Sequence, residues 1–237
     1  MILSRIIHHL KTQNWTAVAL EFVIVVAGVV IGFQVTAWNG EQTARADEAR
    51  LLSQLYDDVQ GEIERKQSWI DDLIQKNARL VTAIELIQNP EGGEIMTEDQ
   101  CNAAWESHII IPYPSQLPTL DEIMAIGGLS SLRDTRLRSA LLTYRSQMEE
   151  MRELQVAIRN DLTTIVDDFA DEMPRRLDRA SNSIGADCQL DLMRDSQVLQ
   201  NRLISNYGRA GGLLEHARRE LALLVSVMTH LPSETTP

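Results

Sequence analysis

Trp15-TAVALEFVIVVAGVVIGFQVTA-Trp38 divides a short basic head from a long acidic body. Between the two tryptophans lie 22 residues, Thr16 to Ala37, of which only Glu21 is ionisable. As a helix rising about 1.5 Å per residue, they span roughly 33 Å, the thickness of one bilayer core. Trp15 and Trp38 fit the aromatic belt at the two membrane interfaces, where an amphipathic indole settles at headgroup depth. A buried core helix is the competing reading, but this run is apolar on every face and longer than core helices usually are. A cleaved signal peptide fits poorly as well, because the run is long and Phe33 to Trp38 offers no A-x-A-like exit. The stretch therefore reads as a transmembrane helix over residues 15–38.

Three members of the span depart from a simple anchor. Glu21, Gly28 and Gly32 are separated by 7 and 4 residues, so at 100° per residue they return to one face within about 40°. Gly28-Val-Val-Ile-Gly32 is a GxxxG, which lets a second helix approach backbone to backbone. An intramembrane carboxyl costs about 2.5–3.5 kcal/mol on insertion scales and faces protein or water. The alternative for Glu21 is to reach the headgroups from a position about 9 Å inside Trp15, or to stay protonated. The face Glu21/Gly28/Gly32 is the predicted helix-packing interface.

The same residues carry a resemblance. Glu21-Phe-Val-Ile-Val-Val-Ala-Gly28, then Gly32, Gln34, Trp38-Asn39 and Glu41, resembles the opening of a family of uncharacterised bacterial single-pass membrane proteins. In that family an acidic residue, a valine/isoleucine/glycine-rich span, a glutamine and a Trp-Asn pair recur. Leu120-Asp121-Glu122 through Gly127 to Leu132-Arg133-Asp134 and Leu137-Arg138 resembles the family's middle segment. Outside these stretches the similarity is architectural. The resemblance implies a membrane-anchored helical domain and no known activity.

Outward from the span, residues 1–14 set Ile2, Leu3, Ile6, Ile7 and Leu10 against Arg5, His8, His9 and Lys11, an amphipathic helix suited to lie in the membrane interface. The chain of 237 residues has formal charge −12, and residues 39–237 hold 20 basic and 33 acidic side chains. Phosphate backbones repel such a surface, so nucleic acid is not an expected partner. The expected partners are the lipid bilayer and an integral membrane protein or a second copy.

Few aromatic and β-branched runs follow residue 40, and two apolar rows repeat at heptad spacing. Leu52, Val59, Leu73, Leu80 and Ile87 form one row, with Lys66 as the exception; Tyr56, Ile63, Ile70 and Ile84 form the other, with Asn77 as the exception. Leu55, Trp69, Ile74 and Val81 widen the stripe to that of a bundle helix. Asn39-Gly40 offers a kink, and Asn89-Pro-Glu-Gly-Gly93 a turn. Thr97-Glu-Asp-Gln100 reads as a helix start. Ile109 to Pro118 has three prolines and no regular helix, and Thr119-Leu-Asp-Glu122 has capping-box spacing ahead of a short helix ended by Gly127-Gly128. Asp134 caps a further helix predicted to run to Pro174. Arg175 to Ala186 reads as exposed turn, and a last helix from Leu190 to Leu231, with apolar positions Val198, Leu203, Tyr207, Leu213, Leu214, Leu221, Leu224 and Met228, has a possible bend at Gly208 to Gly212.

The predicted fold is all-α: one N-terminal transmembrane helix continuing into a soluble antiparallel helical bundle (39–231) with a short helical/loop cap (89–132) and a tail at 232–237. Cys101 and Cys188 suit one disulfide in an oxidising compartment, or two separate buried thiols. Arg5 and Lys11 on one side nearly balance Arg45 and Arg50 on the other. With the cysteines this gives an inner-membrane protein, N-terminus cytoplasmic and main domain periplasmic.

Chemical motifs are scarce. The five histidines are scattered, and H-E-x-x-H, C-x-x-C and G-x-S-x-G are absent, so neither an enzyme nor a cofactor or metal site is expected. If a small ligand binds, Trp105, His108, Tyr113 and Asp121 in the cap segment are the candidates. The favoured function is a non-enzymatic accessory subunit that assembles with itself or an integral membrane complex through its transmembrane helix. A periplasmic sensory or ligand-binding bundle is the first alternative, and a proton-coupled stator-like subunit using Glu21 the second.

Overall fold

A computed structural model describes residues 15–89, 95–130, 132–161, 165, 167–178 and 183–232. The expected interfacial helix at 1–14, most of the 89–93 turn, the side chain of Trp15 and the tail beyond residue 232 lie outside the described residues. The chain is all-α. Its elements are α1 (Trp15–Gln88), α2 (Glu98–Trp105), a 3-10 turn Glu106–His108, α3 (Pro118–Ala125), a 3-10 turn Gly128–Ser130, α4 (Thr135–Asp161), strands β1 (Arg175–Asp178) and β2 (Ser183–Ala186), α5 (Leu190–Asp195) and α6 (Gln197–Met228). Two compact units divide the chain, residues 1–51 and 52–237.

In the first unit, residues 15–51 are helical throughout, Asn39 and Gly40 included. The helix is uninterrupted there: a helical glycine costs about 1 kcal/mol relative to alanine but breaks no hydrogen bond. This part of α1 is long and apolar enough to cross a membrane, and none of the residues in its most apolar stretch is buried within the chain.

In the second unit, residue pairs fix the directions of the helices. Lys66 of α1 meets Glu220 of α6, and Leu73 packs with Ala210 and Leu213. Farther on, Leu80, Ile84 and Ile87 join a core with Leu199 and Leu203. Rising numbers on α1 therefore meet falling numbers on α6, and the two are antiparallel. Helices α4 and α6 are antiparallel as well, since Asp134 lies within electrostatic reach of His230, and Tyr144 within reach of Glu220. It follows that α1 and α4 point the same way. The chain between them must return to its starting end, and the short helical/loop segment makes that return along the flank of α1. The Trp69 indole N–H donates to the carbonyl of Ile111 at 3.1 Å, the Tyr113 hydroxyl reaches Glu62 at 3.3 Å, and the Thr119 N–H donates to Asp58 at 2.9 Å.

Local signals explain most element ends. Thr97 and Gln100 form a reciprocal capping box at the start of α2. Asp134 accepts from the N–H groups of Arg136 (2.7 Å) and Leu137 (3.2 Å), which opens α4. The box expected at Thr119 and Glu122 does not form. Pro118, favoured at the first helical position, already starts α3, and the carboxylate of Asp58 caps it from α1. Gly127 ends this stretch with φ of 68°, a left-handed conformation that glycine adopts without strain.

Three further expectations change. The described part of α4 runs to Asp161, and by Ile165 the chain is no longer helical, short of the expected end near Pro174; Ile165 and Phe169 stay buried outside regular helix. The sequence there, Thr163-Thr-Ile-Val-Asp-Asp168, strings together β-branched and aspartate residues of low helix propensity. The linker at 175–186 contains a two-stranded antiparallel hairpin with Leu177 opposite Ile184. It is fastened by Arg176, which bridges Glu98 at 2.8 Å and Asp187 at 3.4 Å. The last helix breaks at Ser196 and then passes through Gly208 to Gly212 without interruption. Cys101 of α2 and Cys188 after β2 form a disulfide with Cα atoms 5.7 Å apart.

Candidate functional site

The predicted packing face lies on the first unit. Glu21, Gly28 and Gly32 are all exposed, and a Cβ placed on either glycine would meet nothing within 4 Å. Thr36, one turn on, donates its hydroxyl to the carbonyl of Gly32 at 2.9 Å, so it presents no free donor to the surroundings. Trp38 is 61% exposed at the far end of the span. Among the described residues no side chain pairs with Glu21. The arrangement is an open helix face with a carboxyl near one end and two glycines toward the other. Such a face supports close helix–helix contact and a hydrogen bond to the carboxyl.

The charged centre of the second unit was not foreseen as a site. Lys66 is 0% exposed and Glu220 1%. The Lys66 ammonium donates to Glu220 at 2.8 Å and to the backbone carbonyl of Tyr113. It also lies 4.9 Å from the centre of the Tyr113 ring. The second oxygen of Glu220 accepts from the N–H of Ser115 at 2.7 Å. Beside them Glu62, equally buried, accepts from Arg65 at 2.7 and 3.1 Å and from the Tyr113 hydroxyl at 3.3 Å. These hydrogen bonds to Glu62, and then to Tyr113, raise the Arg65 pKa above its ordinary value.

The reason for a charge pair in the core lies in the loop. Residues 109–117 are irregular, and Pro112 and Pro114 remove two donors, so the loop cannot satisfy its own backbone when pressed against the bundle. Side chains of the bundle supply the partners: Lys66 for the Tyr113 carbonyl, Glu220 for the Ser115 N–H, and Trp69 for the Ile111 carbonyl. The pair is a latch. Tyr144, which lies near it, has its pKa raised far above the usual phenol value, first by burial and then by the negative charges of Glu220 and Glu62. Its hydroxyl stays neutral at any physiological pH.

The four residues singled out for a small ligand are not brought together. Trp105 is buried with Leu80 to Ile87, while Tyr113 sits at Glu62 to Lys66; those parts of α1 are separated by about 18 residues, or roughly 27 Å. His108 is half-buried, and its pKa is lowered, chiefly by that burial. Asp121 is exposed on α3. Among the described residues no group of three or more His, Cys, Asp or Glu side chains converges as metal ligands would.

The missed polar positions did leave a trace in the sequence. Lys66 interrupts an apolar row at a position that the structure buries. On α6 the buried positions are Leu199, Leu203, Asn206, Ala210, Leu213, Ala217, Glu220, Leu224 and Val227, with steps of 4 and 3. A reading that follows only apolar residues slips onto Val198 and Tyr207, which are 60% and 41% exposed. Asn206, fully buried, donates to the Ser107 hydroxyl at 3.1 Å and so belongs to the core. No family model, curated protein or solved structure matches this chain.

Proposed function

We propose that this protein is a non-enzymatic, single-pass membrane subunit that assembles with itself or with an integral membrane complex through the Glu21/Gly28/Gly32 face. The observation that carries the reading is that, among the described residues, Glu21, Gly28 and Gly32 are exposed and nothing lies within 4 Å of a Cβ placed on either glycine, although the face holds a carboxyl within apolar sequence. Burying that carboxyl in lipid alone is costly, and a partner helix that donates a hydrogen bond offsets the cost. The latch at Lys66 supports the non-enzymatic part, because the buried charges Lys66 and Glu220 of the second unit are committed to holding a loop. The inner-membrane placement, with the N-terminus cytoplasmic and the body periplasmic, is supported by the Cys101–Cys188 bridge, which suits an oxidising compartment. The resemblance of residues 21–41 to a family of single-pass proteins points the same way.

The test is recovery of the bound partner after purification in mild detergent. Replacing Gly28 and Gly32 together by leucine is expected to abolish recovery while membrane insertion is retained, because leucine is at least as lipophilic. Glu21→Gln should weaken recovery only modestly, since the amide still hydrogen-bonds. Full recovery with the double leucine variant would refute the assembly role of this face. Lost activity with intact assembly in Glu21→Gln would instead favour a proton-carrying role.

A further inference from the structure

A cleft of about 480 Å³ opens on the flank of the second unit, between α1 and residues 99–111. Small-molecule sites commonly occupy roughly 300–1,000 Å³ and combine an apolar floor with a few polar groups. Here Leu73, Leu80, Ala103 and Ile110 supply the apolar part. Trp69 lines it too; its N–H is already donated to Ile111 and the Lys66 ammonium lies 5.9 Å from its ring centre, so it offers a ligand apolar surface. Asn77, the second interruption of the heptad rows, lines the cleft half-buried in the row that buries Ile70 and Ile84. An apolar side chain at this position would extend the row; the amide instead places hydrogen-bonding capacity beside the apolar floor.

The charges of the cleft are unequal. Asp72 and Lys76 pair at 3.1 Å and cancel. Arg79, Asp99 and Glu106 also line it, and among the described residues none of these three forms an ion pair, which leaves two acids against one base. The acidic body adds an attractive field for cations. We propose that this cleft binds a small organic cation with an apolar body, the body resting on Trp69, Leu73, Leu80 and Ile110 and the positive group facing the acids Asp99 and Glu106. Apolar burial provides the attraction, and the excess of acids sets the choice of charge. This site is separate from the membrane-helix face and stands or falls independently of it.

Equilibrium dialysis of the full chain in lipid nanodiscs tests the proposal, with empty nanodiscs as the blank and three probes of similar body: phenethylamine, 2-phenylethanol and 3-phenylpropanoate. Saturable 1:1 uptake of the amine is expected, at least tenfold tighter than that of the alcohol, with no saturable uptake of the carboxylate. The exposed pair of changes Asp99→Asn and Glu106→Gln should weaken amine binding at least tenfold and leave the alcohol unaffected. Asn77→Trp, which fills the cleft, should remove both. No saturable amine uptake, equal affinity for amine and alcohol, or amine binding that survives Asn77→Trp would each overturn the proposal. The amide pair lies on the surface and keeps the test decisive even if the larger tryptophan disturbs folding.

Discussion

Helix α1 sets charged side chains where its pattern is apolar in both of its parts, and the two cases are resolved differently. Lys66, in residues 52–88, is fully buried, and the chain itself supplies Glu220 and the Tyr113 carbonyl. Glu21, in residues 15–51, is exposed among exposed valines and isoleucines, and among the described residues nothing pairs with it. One helix thus contains a segment whose buried charge is met by the chain itself and a segment whose carboxyl has no partner among the described residues, the role that the proposed assembly gives to a second helix. The comparison teaches that hydrophobic pattern alone does not locate function: the same kind of interruption marks a structural latch in one region and an open face in the other. It also predicts a separation of effects. Changes in the bundle should alter its stability and leave assembly through the span face intact, and changes in the span face should do the reverse.

The largest effect is expected from the disulfide. Reducing a bridge between residues 87 apart should cost up to about 4–5 kcal/mol in the chain-entropy model. Denaturant unfolding of the full chain with and without reductant measures it, and non-reducing peptide mapping should join Cys101 to Cys188. Assembly through the span face should persist under mild reduction.

Next comes the latch. Lys66→Met leaves Glu220 buried and unpaired, which should cost about 3–5 kcal/mol. Combining it with Glu220→Leu should recover only part of that, because the Tyr113 carbonyl and the Ser115 N–H would then lack partners at about 1–3 kcal/mol each. Full recovery in the double variant, read from unfolding midpoints, would show that the pair is not there to hold the loop. A smaller effect is expected at Asp58, whose carboxylate caps α3 from a distant part of the chain; Asp58→Ala should cost about 1 kcal/mol.

Acidification provides the smallest signal. Hydrogen bonds from Leu137 and Arg136 hold the Asp134 pKa below the usual carboxylate range. Its folded value lies below its unfolded value, so its contribution is fully present above about pH 4 and is lost as pH falls through the lowered native value. His108 acts in the same direction from a higher pH. Burial lowers its folded pKa, so the unfolded chain binds the proton more readily and stability declines as pH drops below about 6.5. In thermal melts across this range, Asp134→Asn should remove the lower component, and His108→Gln the upper one.

How much of this was legible in the sequence follows from which physical signals are local. The candidate span, the Thr97 and Asp134 caps and the rows around Val59, Leu73, Leu80 and Ile87 depend on neighbours within a turn or two, and these could be read directly. The cap of α3 could not, because Asp58 lies 61 residues before Thr119 and only folding brings them together. Helix α6 was placed with Leu203, Leu213 and Leu224 rightly on its buried face, but Val198 and Tyr207 are exposed, and Asn206 and Glu220 were missed because they occupy core positions for reasons that reside in Ser107, Ser115 and Lys66. The small-ligand candidates followed aromatic and titratable residues along one segment. The cleft instead takes its walls from both α1 and that segment, with Asn77 the one residue that the heptad pattern had already marked.

The central claim, that the face of Glu21, Gly28 and Gly32 meets a protein partner, is tested most directly by photo-crosslinking. A photoreactive side chain is introduced singly at positions along residues 19–37 of the full chain in native membranes. Protein crosslinks are expected at positions 21, 25, 28 and 32, which share one face at 100° per residue, and lipid adducts alone at 23 and 30 on the opposite side. Lipid adducts at every position, or protein crosslinks with no helical periodicity, would contradict the account.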